Sequence, residues 1–137
     1  MKTGTRRGVL LAVGVLVAVV LAGGAAIAQA PATPHPLLGR WDGEFKNQYA
    51  TGDYSLTVKS VDGDKASGTV RPGGNCPYCG KDIPFTGQVS PDGDVLTFSG
   101  VTPTDTSFRG EMRRKGDELT GWGQGAVRSE LALRRVK

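Results

Sequence analysis

The chain is predicted to be all-β: a single antiparallel up-and-down barrel of about eight strands, after an N-terminal signal segment. Three observations carry this expectation. Past residue 37, apolar and polar side chains alternate with a period of two, the pattern of strands buried on one face. Glycine-bearing turns such as Asp62-Gly63-Asp64, Asp92-Gly93-Asp94 and Lys115-Gly116-Asp117 separate consecutive runs and imply short hairpins. Closing a meander of this size into a barrel removes its exposed edges.

Residues 1–30 read as a secretory leader. Lys2, Arg6 and Arg7 precede an unbroken apolar run over residues 9–22, and a tail of small residues follows to Ala30. Small residues at −3 and −1 allow cleavage after Ala28 or after Ala30; the first avoids Pro31 beside the cut and is preferred. The competing reading is an uncleaved anchor, because residues 9–28 carry no charge over a length close to a membrane span. Thr5-Arg6-Arg7-Gly8-Val9-Leu10 also resembles a twin-arginine export signal. Each route places the domain outside the cytoplasm, in the periplasm or the extracellular space. Contact with a membrane is expected only if the segment is retained. Residues 31–36, PATPHP, read as a Pro-rich linker, and residues 37–137 as the barrel domain.

Taken in order, the strands start with Trp41, Gly43 and Phe45 facing in, against Asp42, Glu44 and Lys46 facing out. Tyr54, Leu56 and Val58 then alternate with Ser55, Thr57 and Lys59. Six further runs occupy residues 66–71, 83–89, 95–101, 107–113, 118–124 and 129–135. Besides those already named, the inward set comprises Val70, Ile83, Phe85, Val89, Leu96, Phe98, Phe108, Met112, Leu119, Leu131 and Leu133, enough to suggest a mostly filled interior. Gly68, Gly87, Gly110, Gly121 and Gly123 share that face with Gly43 and either leave room or permit tight coiling.

Gly39-Arg40-Trp41, at the head of the first strand, resembles the G-x-W signature of lipocalins and related calycin barrels, the avidin group included. The resemblance implies that an Arg or Lys late in the last strand packs across the tryptophan and closes one barrel end. Arg135 shares a face with Leu131 and Leu133, and the last strand of an up-and-down barrel runs antiparallel to the first. Trp41 and Arg135 are therefore expected to form a cation–π pair at a barrel end, with Arg134 pointing outward.

Cys76-Pro77-Tyr78-Cys79 invites three readings. C-P-Y-C resembles a glutaredoxin active site, but no helical run follows to lower a thiol pKa. It also resembles one knuckle of a zinc ribbon, yet structural zinc takes four ligands and the chain offers beyond these two only His35. The third reading, favoured by an oxidising compartment, is an unreactive disulfide within the longest connection.

Charge and chemistry narrow the function. Of 17 Lys and Arg, three lie in the leader with none of the 13 Asp and Glu, so the net charge falls from +4 to +1 without it. From Asp105 onward, basic residues are interleaved with acids, which speaks against a nucleic-acid track. His35, the only histidine, sits in the linker, and Asp42, Glu44, Glu111 and Glu118 occupy outer faces or turns. No catalytic constellation, cofactor site or metal site is expected. Two functions remain: a binder of a small apolar ligand, or an envelope interaction domain with a filled core and no ligand. Trp122, opposite in parity to Leu119, is either an exposed contact or an indole covered by its neighbours.

Overall fold

The computed structural model describes residues 34–137; the segment read as a leader and the first three residues read as linker lie outside the described residues. Eight strands follow in order: β1 (Gly39–Lys46), β2 (Thr51–Asp62), β3 (Lys65–Pro72), β4 (Ile83–Val89), β5 (Val95–Val101), β6 (Ser107–Lys115), β7 (Glu118–Gln124) and β8 (Arg128–Arg135). Each pairs antiparallel with its successor, and β8 pairs with β1 to close the barrel. No helix occurs among the described residues. The fold class expected from alternation is the one observed.

Local chemistry explains the connections. Two hairpins turn on Gly63-Asp64 and Gly116-Asp117, with φ of +62° at each glycine and no positive φ at either aspartate. Positive φ at the first central residue alone is the type II′ pattern, whose twist suits antiparallel strands. The five-residue turn 90–94 is held by its own side chains: Ser90 Oγ donates to Asp92, whose Oδ1 also accepts from Asp94 N–H at 3.0 Å. These three turns gather at one end of the barrel.

β2 extends three residues beyond the alternating run read from the sequence. A bulge between Val58 and Ser60 inserts Lys59 and resets the parity, so that Val61 again packs against the core. The inward side chains form one cluster, from Leu37, Trp41, Leu96, Met112 and Leu119 at the turn-bearing end to Leu56, Val70, Phe85 and Phe98 at mid-height.

The glycines of the inner face divide by what surrounds them. A Cβ on Gly43, Gly68, Gly87 or Gly121 would collide with a carbonyl oxygen of the adjoining strand, and one on Gly110 with the Phe98 ring. These five permit tight coiling. Gly123 is different: a Cβ there would meet the Leu131 side chain, with Cδ1 at 3.2 Å and Cγ at 3.9 Å, and the Arg109 carbonyl at 4.0 Å.

Candidate functional site

The two barrel ends differ. At the first, Trp41 is fully buried, and its indole N–H donates to the Leu37 carbonyl at 3.0 Å. Arg135, its direct partner across the β1–β8 ladder, lays its guanidinium carbon 4.2 Å from the ring centroid. The same guanidinium donates to the Leu38 carbonyl at 2.9 Å and to the Pro36 carbonyl, and contacts Asp117 Oδ1 at 3.3 Å. Arg134, one residue earlier, points outward to Glu118. A second arginine, Arg114, pins the 90–94 turn through Asp94 Oδ1 at 2.7 Å and reaches the Gly116 carbonyl. This end is sealed.

Residues 34–38 belong to that seal. Leu37 N–H donates to His35 Nδ1 at 3.1 Å, and Leu38 N–H to the His35 carbonyl. His35, read from the sequence as part of the linker, is therefore a half-buried member of a turn. The tight turn satisfies backbone groups that Leu37 would otherwise take unpaired into the core.

The opposite end is a mouth. Its four connections cover residues 47–50, 73–82, 102–106 and 125–127, and a cavity of about 620 Å³ opens between them. Phe45, Tyr54, Val70, Ile83, Phe108 and Leu131 wall it, and Phe98 reaches its base. Phe98 lies 5.6 Å from Phe85 below and 6.5 Å from Phe108 above, between ring centroids, so an aromatic column runs from core to mouth. Room exists because inward positions at this level hold Gly123 and Ser129, where the sealed end holds Trp41, Met112 and Leu133. The expectation of a mostly filled interior is thus corrected: the sealed half is filled and the mouth half is hollow. Troughs on the outer wall are lined by polar side chains such as Gln88, Thr97 and Glu111 and lack such an apolar wall.

Cys76 and Cys79 form a disulfide, Cα atoms 5.0 Å apart, in the 73–82 connection. Both line the cavity, and Tyr78 between them packs against the core cluster. Gly80 N–H donates to the Pro72 carbonyl at 2.7 Å, tying the loop to the end of β3. Among the described residues, Arg109 is the one Lys, Arg, Asp or Glu on the cavity lining.

Trp122 is on the outer wall and half-buried. Arg128 stacks 4.2 Å from its ring centroid and Arg109 lies 5.6 Å away on the neighbouring strand. These cross-strand neighbours cover part of the indole, and the rest borders a trough on the outer wall. Sequence reasoning missed Leu37 and Arg114, and read Asp117 as a turn residue alone. The burial of Leu37 follows prolines that read as linker, and Arg114 continues the inward parity of Phe108 and Met112 under a charge that reads as a strand end.

No protein-family model and no curated protein matches the chain. Among solved structures, a redesigned β-barrel aligns with a TM-score of 0.55 at 17% identity, covering 74% of this chain and 92% of that one. A variant of the fluorescent protein UnaG aligns with a TM-score of 0.45 at 12% identity, covering 73% and 96%. The first likeness is one of fold alone.

Proposed function

We propose that this chain is an exported, non-catalytic barrel that carries a small apolar ligand in its mouth, with a calycin-like plan of one sealed and one open end. The single observation behind the proposal is the apolar-walled cavity of about 620 Å³, a size within the ordinary range for small-molecule sites. The non-catalytic part of the reading draws on the lining: among the described residues no Asp or Glu borders the cavity, and His35 sits at the sealed end with Nδ1 occupied. The partner is a small molecule rather than a nucleic acid. Export rests on the order of basic, apolar and small residues over positions 1–30.

Titration with the neutral fluorophore N-phenyl-1-naphthylamine tests the carrier reading. One equivalent should bind with enhanced, blue-shifted emission. Gly123→Phe, which fills the space beside Leu131, should abolish binding while the barrel stays folded. Absence of binding to the unmodified protein would sink the proposal. Fusing residues 1–30 to a reporter active only after export tests localisation, and a cytoplasmic reporter would refute it.

A second reading is favoured by the rim. Tyr49, Val101 and Val127 are exposed large apolar side chains, and all three stand at the mouth end. They suit an envelope protein that docks on the mouth with no ligand inside. Silent probe titrations together with a rim-dependent protein contact would favour it.

A further inference from the structure

Resting on the carrier reading, we infer that the ligand is an uncharged, flat apolar molecule with one hydrogen-bond acceptor, and that the Tyr54 hydroxyl donates to that acceptor. Several polar side chains around the mouth are engaged with one another. Asn47 Oδ1 accepts from the N–H groups of Tyr49 and Ala50, and its Nδ2 donates to Ser129 Oγ at 3.0 Å. Thr102 Oγ1 pairs with Thr104 Oγ1 and accepts from Thr106 N–H. Thr51, Asn75, Tyr78 and Gln124 also line the cavity without such a bond, but they stand in or next to the rim loops, whereas Tyr54 stands within the β2 wall. Its ring lines the cavity and packs against the core cluster, and its cross-strand neighbours are Gly43 and Pro72, neither of which has a polar side chain.

Burial alone pushes the pKa of this hydroxyl above its ordinary value; no hydrogen bond contributes. It therefore stays protonated at physiological pH and can donate. The hydroxyl keeps contact with the cavity space, and a ligand that dries this site without offering it an acceptor leaves a polar group unpaired. Charge is selected against by the same surroundings. Among the described residues the lining holds no Asp, Glu or Lys, and Arg109 lies against Trp122 on the outer wall. A carboxylate beside Tyr54 would be desolvated with no counter-charge. The rings of Phe45, Phe98 and Phe108 offer faces and edges to a flat molecule.

Three probes of one shape separate these claims: 2-ethylanthracene, 2-acetylanthracene and anthracene-2-carboxylate, each titrated by fluorescence. The ketone should bind about tenfold tighter than the hydrocarbon, the size of one net hydrogen bond. The carboxylate should bind weakest. Tyr54→Phe, which keeps the ring, should bring the ketone down to the hydrocarbon and leave the hydrocarbon unchanged. A carbonyl-labelled ketone supplies a readout independent of any variant: its infrared stretch should move to lower wavenumber when bound to the unmodified protein. A ketone with no preference and an unshifted stretch, or a carboxylate that binds tightest, overturns this inference while the carrier reading stands. If none of the three binds a protein that takes up N-phenyl-1-naphthylamine, this inference falls alone; if that probe is refused as well, both fall.

Discussion

At the sealed end, loops of two, five and two residues join the strands, and Trp41, Leu37, Met112 and Leu119 fill the interior behind them. At the mouth the connections are longer, the inward positions shrink to Gly123 and Ser129, and the widest loop carries the disulfide. Electrostatics divides the same way. The carboxylates held below their ordinary pKa are Asp42 on β1, bonded to Arg40, and Asp92 and Asp117 in the sealed-end turns, bonded first to Ser90 and Lys137. One strand set thus supports two kinds of structure: an end fixed by packing and arginine hydrogen bonds, and an end whose rigidity depends on loop chemistry. Stability and recognition are divided along the barrel axis.

The sharpest way to break that division is to attack the seal. Trp41→Ala should lose about 3–5 kcal/mol in denaturant unfolding, as large aromatic truncations in cores do. Phe108→Ala, the mouth counterpart, should cost about 1–2 kcal/mol, because its ring is only half-buried, and it should alter probe affinity. Equal costs would erase the distinction between the ends.

Arg135→Met should lose about 2 kcal/mol, through the ring contact and the hydrogen bonds to the Leu38 and Pro36 carbonyls. In a double-mutant cycle with Trp41→Ala the losses should not add, since the groups touch. Arg134→Met should change stability little, its partner Glu118 being exposed. Strict additivity would separate Trp41 from Arg135.

Replacing Cys76 and Cys79 by Ser should lower unfolding stability by at most about 2 kcal/mol, because the closed loop is short. The effect should appear instead as faster release of N-phenyl-1-naphthylamine in stopped flow, since the bridged loop walls the cavity. A collapse of the fold with an unchanged release rate would reverse the assignment of loop and seal.

Acid should discriminate most gently. The depressed pKa values of Asp42, Asp92 and Asp117 contribute stability that is fully present above the unfolded carboxylate pKa, about 3.9, and is lost as pH falls through the folded values. Below about pH 4, amide exchange should accelerate in the sealed-end turns before the mouth loops. Asp92 and Asp117 are solvated, so the effect should shrink with added salt. Mouth loops that open first would contradict it.

Much of this architecture was legible in the chain. Period-two alternation marks the strands and their inward faces, and the glycine–aspartate turns mark the hairpins that cluster at one end. Parity says which way a side chain faces, and that suffices for Trp41, Arg134 and Arg135. It does not say how wide the barrel is at each level. Gly43 and Gly123 look alike in sequence, yet one meets a neighbouring carbonyl and the other borders a cavity. The bulge at Lys59 ends simple alternation, so the last turn of β2 was hidden. Tyr54 reads as one more inward ring until the lack of a partner for its hydroxyl is seen.

The seal also sets an order of events. Seven of the eight ladders join consecutive strands, so each can form as soon as its hairpin exists. The eighth joins β8 to β1, and the Arg135 bond to the Leu38 carbonyl spans 97 residues of sequence. Long-range pairing of this kind carries a large loop-closure entropy and is slow. Until β8 arrives, β1 and β7 present open edges that can pair with another chain. The clasp at Trp41 therefore closes last, and a chain that stops before residue 128 would retain its hairpins while its open edges invited aggregation.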